Sequence, residues 1–67
     1  MENTITRDIE QSAFDRWMET GKHPELIRIN PDLKNRAEAE TPQRFDGDCV
    51  CGWKYIEDAS VEQYVIE

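Results

Sequence analysis

Only three glycines, three prolines and two cysteines punctuate this chain of 67 residues. Gly21, Gly47 and Gly52 stand apart from one another, so no glycine-rich loop is present to cradle a phosphate. Cys49 and Cys51 are too few and too close for a disulfide scaffold. Structural zinc takes four ligands, with wider spacing inside each Cys pair. Here one residue separates the two cysteines, and His23 is the single histidine. A zinc site would have to recruit carboxylates such as Asp46 or Asp48, or span two subunits. Cys-Val-Cys also lacks the two-residue gap of a redox pair.

Other absences narrow the function. No uninterrupted apolar run comes near the roughly 20 residues of a membrane span. The first residues, Met1–Asp8, show no basic stretch followed by an apolar one, as a secretory leader would. A reducing, cytoplasmic setting is therefore expected. Ser12 and Ser60 lie in no nucleophile motif, and His23 has no catalytic partner near it in sequence. Asp46-Gly47-Asp48 is followed by none of the further ligands of a calcium loop, and a turn accounts for Asp-Gly. The expectation is a chain that is not an enzyme and needs no cofactor or metal.

Basic charge is the other shortage: eight Lys and Arg face fifteen Asp and Glu, a formal charge of −7. Residues 46–67 carry six acids (Asp46, Asp48, Glu57, Asp58, Glu62, Glu67) and one base, Lys54, a local charge of −5. Residues 1–45 hold nine acids and seven bases, a charge of −2. Such a field repels phosphate backbones and anionic lipid and attracts basic protein surfaces. The bases are interleaved with acids and form no basic stripe, so direct nucleic-acid binding is not expected.

Hydrophobic residues make up 37% of the chain, including two each of Trp, Phe and Tyr, enough for the core of one small domain spanning residues 1–67. Residues 4–20 have the spacing of an amphipathic helix. Thr4 or Asn3 caps it, Ile5, Ile9, Ala13 and Trp17 form the apolar side, Phe14 and Met18 widen it, and Gly21 stops it. Asp8, Ser12, Asp15 and Glu19 gather on the opposite face. Residues 22–30 fit either a turn of helix after Pro24 or a short strand with Ile27 and Ile29 inward. Asn30-Pro31 caps a second short helix over about residues 31–40, with Leu33 and Ala37 on its apolar side.

Beyond Pro42 the period changes to two. Asp46-Gly47 signals a hairpin. Over residues 48–57, alternation sets Cys49, Cys51, Trp53 and Tyr55 on one face and Val50, Lys54 and Ile56 on the other. Glu57–Ser60 reads as a turn and Val61–Ile66 as a further strand, with a short helix from Ser60 as the alternative. The expected fold is α+β: one N-terminal amphipathic helix, a short second helix, and a C-terminal two- or three-stranded antiparallel sheet.

The functional expectation is a non-enzymatic protein-binding module whose acidic surface docks on a basic patch of a partner, which could itself be a nucleic-acid-binding protein. An inhibitor or accessory factor fits this size and charge, which are common among phage and mobile-element proteins. The candidate contact acids are Asp46, Asp48, Glu57, Asp58 and Glu62, with Asp8, Asp15 and Glu19 as a second group. Trp53 and Tyr64 are the candidate aromatic anchors. Asp15 and Glu19, four apart on one helix, are like charges side by side, which costs a few tenths of a kcal/mol. Two alternatives remain: a homodimer or other assembly through an uncovered sheet face or the edge of Val61–Ile66, and a zinc-stabilised adaptor using Cys49, Cys51 and His23.

Overall fold

The computed structural model describes residues 4–67. Asn3, the alternative cap, lies outside them. The first helix, α1, runs Ile5–Thr20. Thr4 caps it by accepting a hydrogen bond from the Arg7 amide at 3.2 Å. Gly21 ends it in the left-handed region (φ 73), where its N–H donates to the Trp17 carbonyl at 2.7 Å. Strand β1 (Ile27–Ile29) resolves the helix-or-strand choice in favour of the strand. Helix α2 (Pro31–Glu40) follows directly, because Asn30 accepts from the Asp32 amide at 2.9 Å while Pro31 fills the first turn.

After a 3-10 turn at Pro42–Arg44 come β2 (Phe45–Asp46), β3 (Cys49–Val50), β4 (Trp53–Glu57) and β5 (Tyr64–Ile66). The protein is α+β, but its sheet has five strands in the order β2-β3-β4-β1-β5 and is mixed, not a two- or three-stranded antiparallel one. β1 lies parallel to β4 and antiparallel to β5, so α2 and the β2–β3 hairpin form the crossover between the parallel pair.

The expected hairpin at Asp46-Gly47 is present, with Gly47 (φ 61) opening a two-residue loop. A second hairpin breaks the continuous alternation expected over residues 48–57. Val50 pairs with Trp53, and Cys51 (φ 54) and Gly52 (φ 88) form the turn between them. Both residues take left-handed φ, as a type I′ turn requires. The reversal puts Val50 on the same face as Trp53 and Tyr55 rather than opposite them, and moves Cys49 to the other face beside Lys54. The last strand is also shorter than the expected Val61–Ile66, since residues 61–63 bend across to Asn30 before pairing begins.

Both helices cover one face of this sheet. Ile9 and Ala13 of α1, Ile27 and Ile29 of β1, and Val50 of β3 are wholly buried and form the core with Ile66. Leu33, Phe45, Trp53, Tyr55 and Tyr64 close its rim. Between the helices, the buried hydroxyls of Thr6 and Thr41 hydrogen-bond at 2.7 Å, and Thr41 donates to the Ala37 carbonyl, so neither polar group is orphaned. Met18 does not widen the apolar stripe as expected. It is 86% exposed.

A Cβ at Gly52 would meet nothing within 4 Å, so any cost of adding one comes from the backbone alone. Gly52→Ala is expected to lower stability by about 1–2 kcal/mol, measured by urea denaturation. An unchanged midpoint would contradict the left-handed turn.

Candidate protein-binding surface

The register of the strands collects most of the C-terminal acids at one end of the sheet. The Asp48 carbonyl accepts from the Tyr55 amide at 2.8 Å, which lays the β2–β3 hairpin tip along the C-terminal half of β4, beside Glu57. The Asp58 amide donates to the Ile29 carbonyl at 2.8 Å, fixing Asp58 at the C-terminal end of β1. Asn30 holds Glu62 at the same end: its amide bonds the Gln63 carbonyl at 2.8 Å and its side chain the Val61 carbonyl at 3.0 Å. Asp48, Glu57, Asp58 and Glu62 thus lie toward one end, where α2 also begins, while Asp46 stands level with Cys49 and Lys54, near the Trp53 end of β4.

These five acids are not equivalent. Asp58 accepts from the Ser60 hydroxyl (2.6 Å) and amide (2.9 Å) and from Arg28 (3.2 Å). The Ser60 hydroxyl, then the Ser60 amide, hold its carboxyl below the usual carboxylate range, and Arg28 adds to the effect. Asp58 is therefore part of the turn that joins β4 to β5. Asp46, Asp48, Glu57 and Glu62 make no ion pair among the described residues, and all four are exposed. Lys34 is held above its ordinary pKa chiefly by its bond to Glu38 and to a smaller extent by the charge of Glu57.

The second acidic group divides. Ser12 lines the same side of α1 as Asp15 and Glu19, and Asp8 stays exposed, but Asp8 and Ser12 also have a partner. Both turn toward β5, where the Tyr64 hydroxyl lies 2.7 Å from Ser12 Oγ and donates to Asp8 Oδ2 at 2.7 Å. Burial raises the Tyr64 phenol pKa; the Ser12 bond lowers it, and the Asp8 carboxylate adds to the rise. Tyr64 is thereby an internal strut between β5 and α1. Asp15 and Glu19 stay exposed on α1, Asp15 accepting from Gln11 at 3.0 Å.

Trp53 lies at the opposite end of β4 from Glu57, half-buried and edge-on to Phe14 at 5.4 Å. Phe14 in turn stacks on Trp17 at 6.1 Å, and Trp17 meets the His23 ring at 4.0 Å. The aromatic row and the acidic end are therefore separate surfaces.

The sheet face away from the helices carries no covering element among the described residues. Register places Ile56, Arg28 and Val65 in one row across β4, β1 and β5. Ile56 and Val65 are 37% and 44% exposed, and Arg28 bridges Asp58 (3.2 Å) and Glu67 (3.1 Å) between them. Cys51 packs against the core, its thiol toward the Thr6 carbonyl at 3.6 Å, and burial pushes its pKa up. Among the described residues no three His, Cys, Asp or Glu side chains converge as a metal site would require, so Cys49, Cys51 and His23 are not assembled into one. No helix among them is long and apolar enough to cross a membrane.

Because the folded state lowers the Asp58 pKa, the stability this residue contributes is present above the ordinary aspartate range and is lost as pH falls through the lowered value. Asp58→Asn is expected to flatten the fall in urea midpoint between about pH 5 and pH 2. An acid limb equally steep in the variant would contradict the Ser60 and Arg28 contacts. In comparisons with known proteins, no protein family, curated protein or solved structure matches this chain.

Proposed function

We propose that this protein is a non-enzymatic binding module whose acidic end docks on a basic patch of a partner protein. The observation that carries this reading is the placing of the exposed Asp48, Glu57 and Glu62 toward one end of the sheet, none of them in an ion pair among the described residues. Like charges held together by rigid elements are a cost to the free protein, relieved when cations of a partner arrive. Asp58 orders the β4–β5 turn beneath them. A partner that handles nucleic acid would carry a basic patch of the required kind, and an inhibitor or accessory factor would act by covering it. The acids would steer association and make its rate fall with salt.

A second reading, assembly with further copies of this chain, is favoured by the open row of Ile56 and Val65 on either side of Arg28. The charge of −7 on each chain opposes it. A sedimentation run at high micromolar concentration showing only monomer would remove this second reading.

The docking reading is tested by affinity capture from native lysate with the wild type and an Asp48→Lys, Glu57→Lys, Glu62→Lys variant side by side. These positions are exposed, so the variant is expected to fold. The wild type should retain a protein that the variant loses, with retention falling as salt rises. Equal capture by both at every salt concentration would contradict the proposal.

A further inference from the structure

Strand β5 is an edge whose outer ladder groups have no partner among the described residues. It pairs only with β1. The reciprocal bonds between Leu26 and Glu67 and the bond from Asn30 to Gln63 set the antiparallel alternation. Arg28 and Val65 therefore exchange the ladder bonds between them, while the amides and carbonyls of Tyr64 and Ile66 point away from the sheet. Edges of this kind are usually covered or blunted by an inward charge, a bulge or a proline. Here none of these is found along Tyr64–Ile66.

Beside this edge runs a groove of about 430 Å³, with β5 as one wall and Ser12, Asp15, Arg16 and Glu19 of α1 as the other. The adjacent carboxylates of Asp15 and Glu19 give that wall more acid than Arg16 offsets, and neither makes an ion pair among the described residues. Val65, 44% exposed, lies on the opposite side of the strand. A strand added here would alternate its side chains between these two environments. One set would meet the carboxylates of α1, and the other would lie beside Val65 on the open face.

We propose that the β5 edge takes up an extended segment of a partner protein in which basic residues alternate with apolar ones, adding it as a sixth strand beside β5 and along α1. Ladder bonds to Tyr64 and Ile66 supply the affinity, and the alternating environments supply the selection. A second copy of this chain is disfavoured as occupant, because it would bring its own Asp15 and Glu19 and its own net charge of −7 to the same groove. The inference rests on the reading that the partner is basic, and it gives that partner a directional contact besides the acidic end.

The test uses a capped Lys-Val-Lys-Val-Lys peptide and amide chemical-shift mapping of the whole chain. Saturable shifts are expected at Tyr64, Val65 and Ile66 and along residues 15–19 of α1. Asp15→Lys with Glu19→Lys should weaken the complex by about tenfold or more, while Asp48→Lys, Glu57→Lys, Glu62→Lys should leave the same shifts in place. Two peptide analogues separate strand addition from charge attraction. N-methylation of one alternate set of residues should abolish binding, and N-methylation of the other should preserve it, because only one set turns its N–H groups to β5. Equal binding of both analogues would overturn the proposal, as would the absence of saturable binding. Shifts confined to Asp46–Asp48 and Glu57–Glu62 would overturn the edge and leave the acidic-end reading standing. Self-association through Tyr64 and Ile66 without peptide would identify a second copy as the occupant and overturn it too.

Discussion

The need to bury Ile27 and Ile29 governs the rest of this structure. Both are wholly inaccessible to solvent, and they belong to a strand of only three residues, so β1 is stable only with neighbours on both sides and helices above. β4 supplies one neighbour in parallel and β5 the other in antiparallel. A parallel pair requires a long crossover, and α2 with the β2–β3 hairpin provides it. The centre of the sheet is thus made of segments remote in sequence, and the chain cannot lose either flanking strand without exposing its core.

The same arrangement decides where charge goes. With the core face covered by α1 and α2, Asp48, Glu57, Asp58 and Glu62 lie toward the end of the sheet where β1 and β4 finish and β5 starts. Arg28, the polar residue between the two buried isoleucines, faces the other way and ties Asp58 and Glu67 across the open face. Exposed pairs of this kind add little to stability. Their larger effect is to hold the acidic turn and the C-terminal residue in place around the Ile56–Arg28–Val65 row. A small domain has little spare core, so the exposed acids at the sheet end and the bare edge of β5 are costs carried by a marginal fold.

Local signals in the sequence were sufficient for the helices. Thr4, Gly21 and Asn30-Pro31 act through hydrogen bonds and φ values within a few residues, so the bounds of α1 and α2 can be read from the chain. Asp46-Gly47 likewise announces its hairpin. Cys51-Gly52 does not, because cysteine is an uncommon occupant of the left-handed first position of a type I′ turn, and the alternation through it imitates one continuous strand. The parallel pairing of β1 with β4 leaves no local trace, since it is specified by the shared burial of Ile27, Ile29 and Val50. For the candidate surface, the acidic excess was legible and its collection at one end was not. Tyr64, Asp8 and Ser12 form a contact across more than fifty positions of sequence that no periodicity could reveal. The free amides of β5 could have been suspected from the apolar run Tyr64-Val65-Ile66 at a strand end, but only sheet order shows which strand is the edge.

Residue-resolved amide hydrogen exchange on the monomer tests this architecture most directly. Ile27, Ile29 and Val65 are expected among the slowly exchanging amides, with Tyr64 and Ile66, one residue either side of Val65, exchanging much faster. That alternation is the signature of β1 as a strand paired on both sides and β5 as an open edge. Uniform protection across Tyr64–Ile66 in a monomer, or rapid exchange at Ile27 and Ile29, would contradict it.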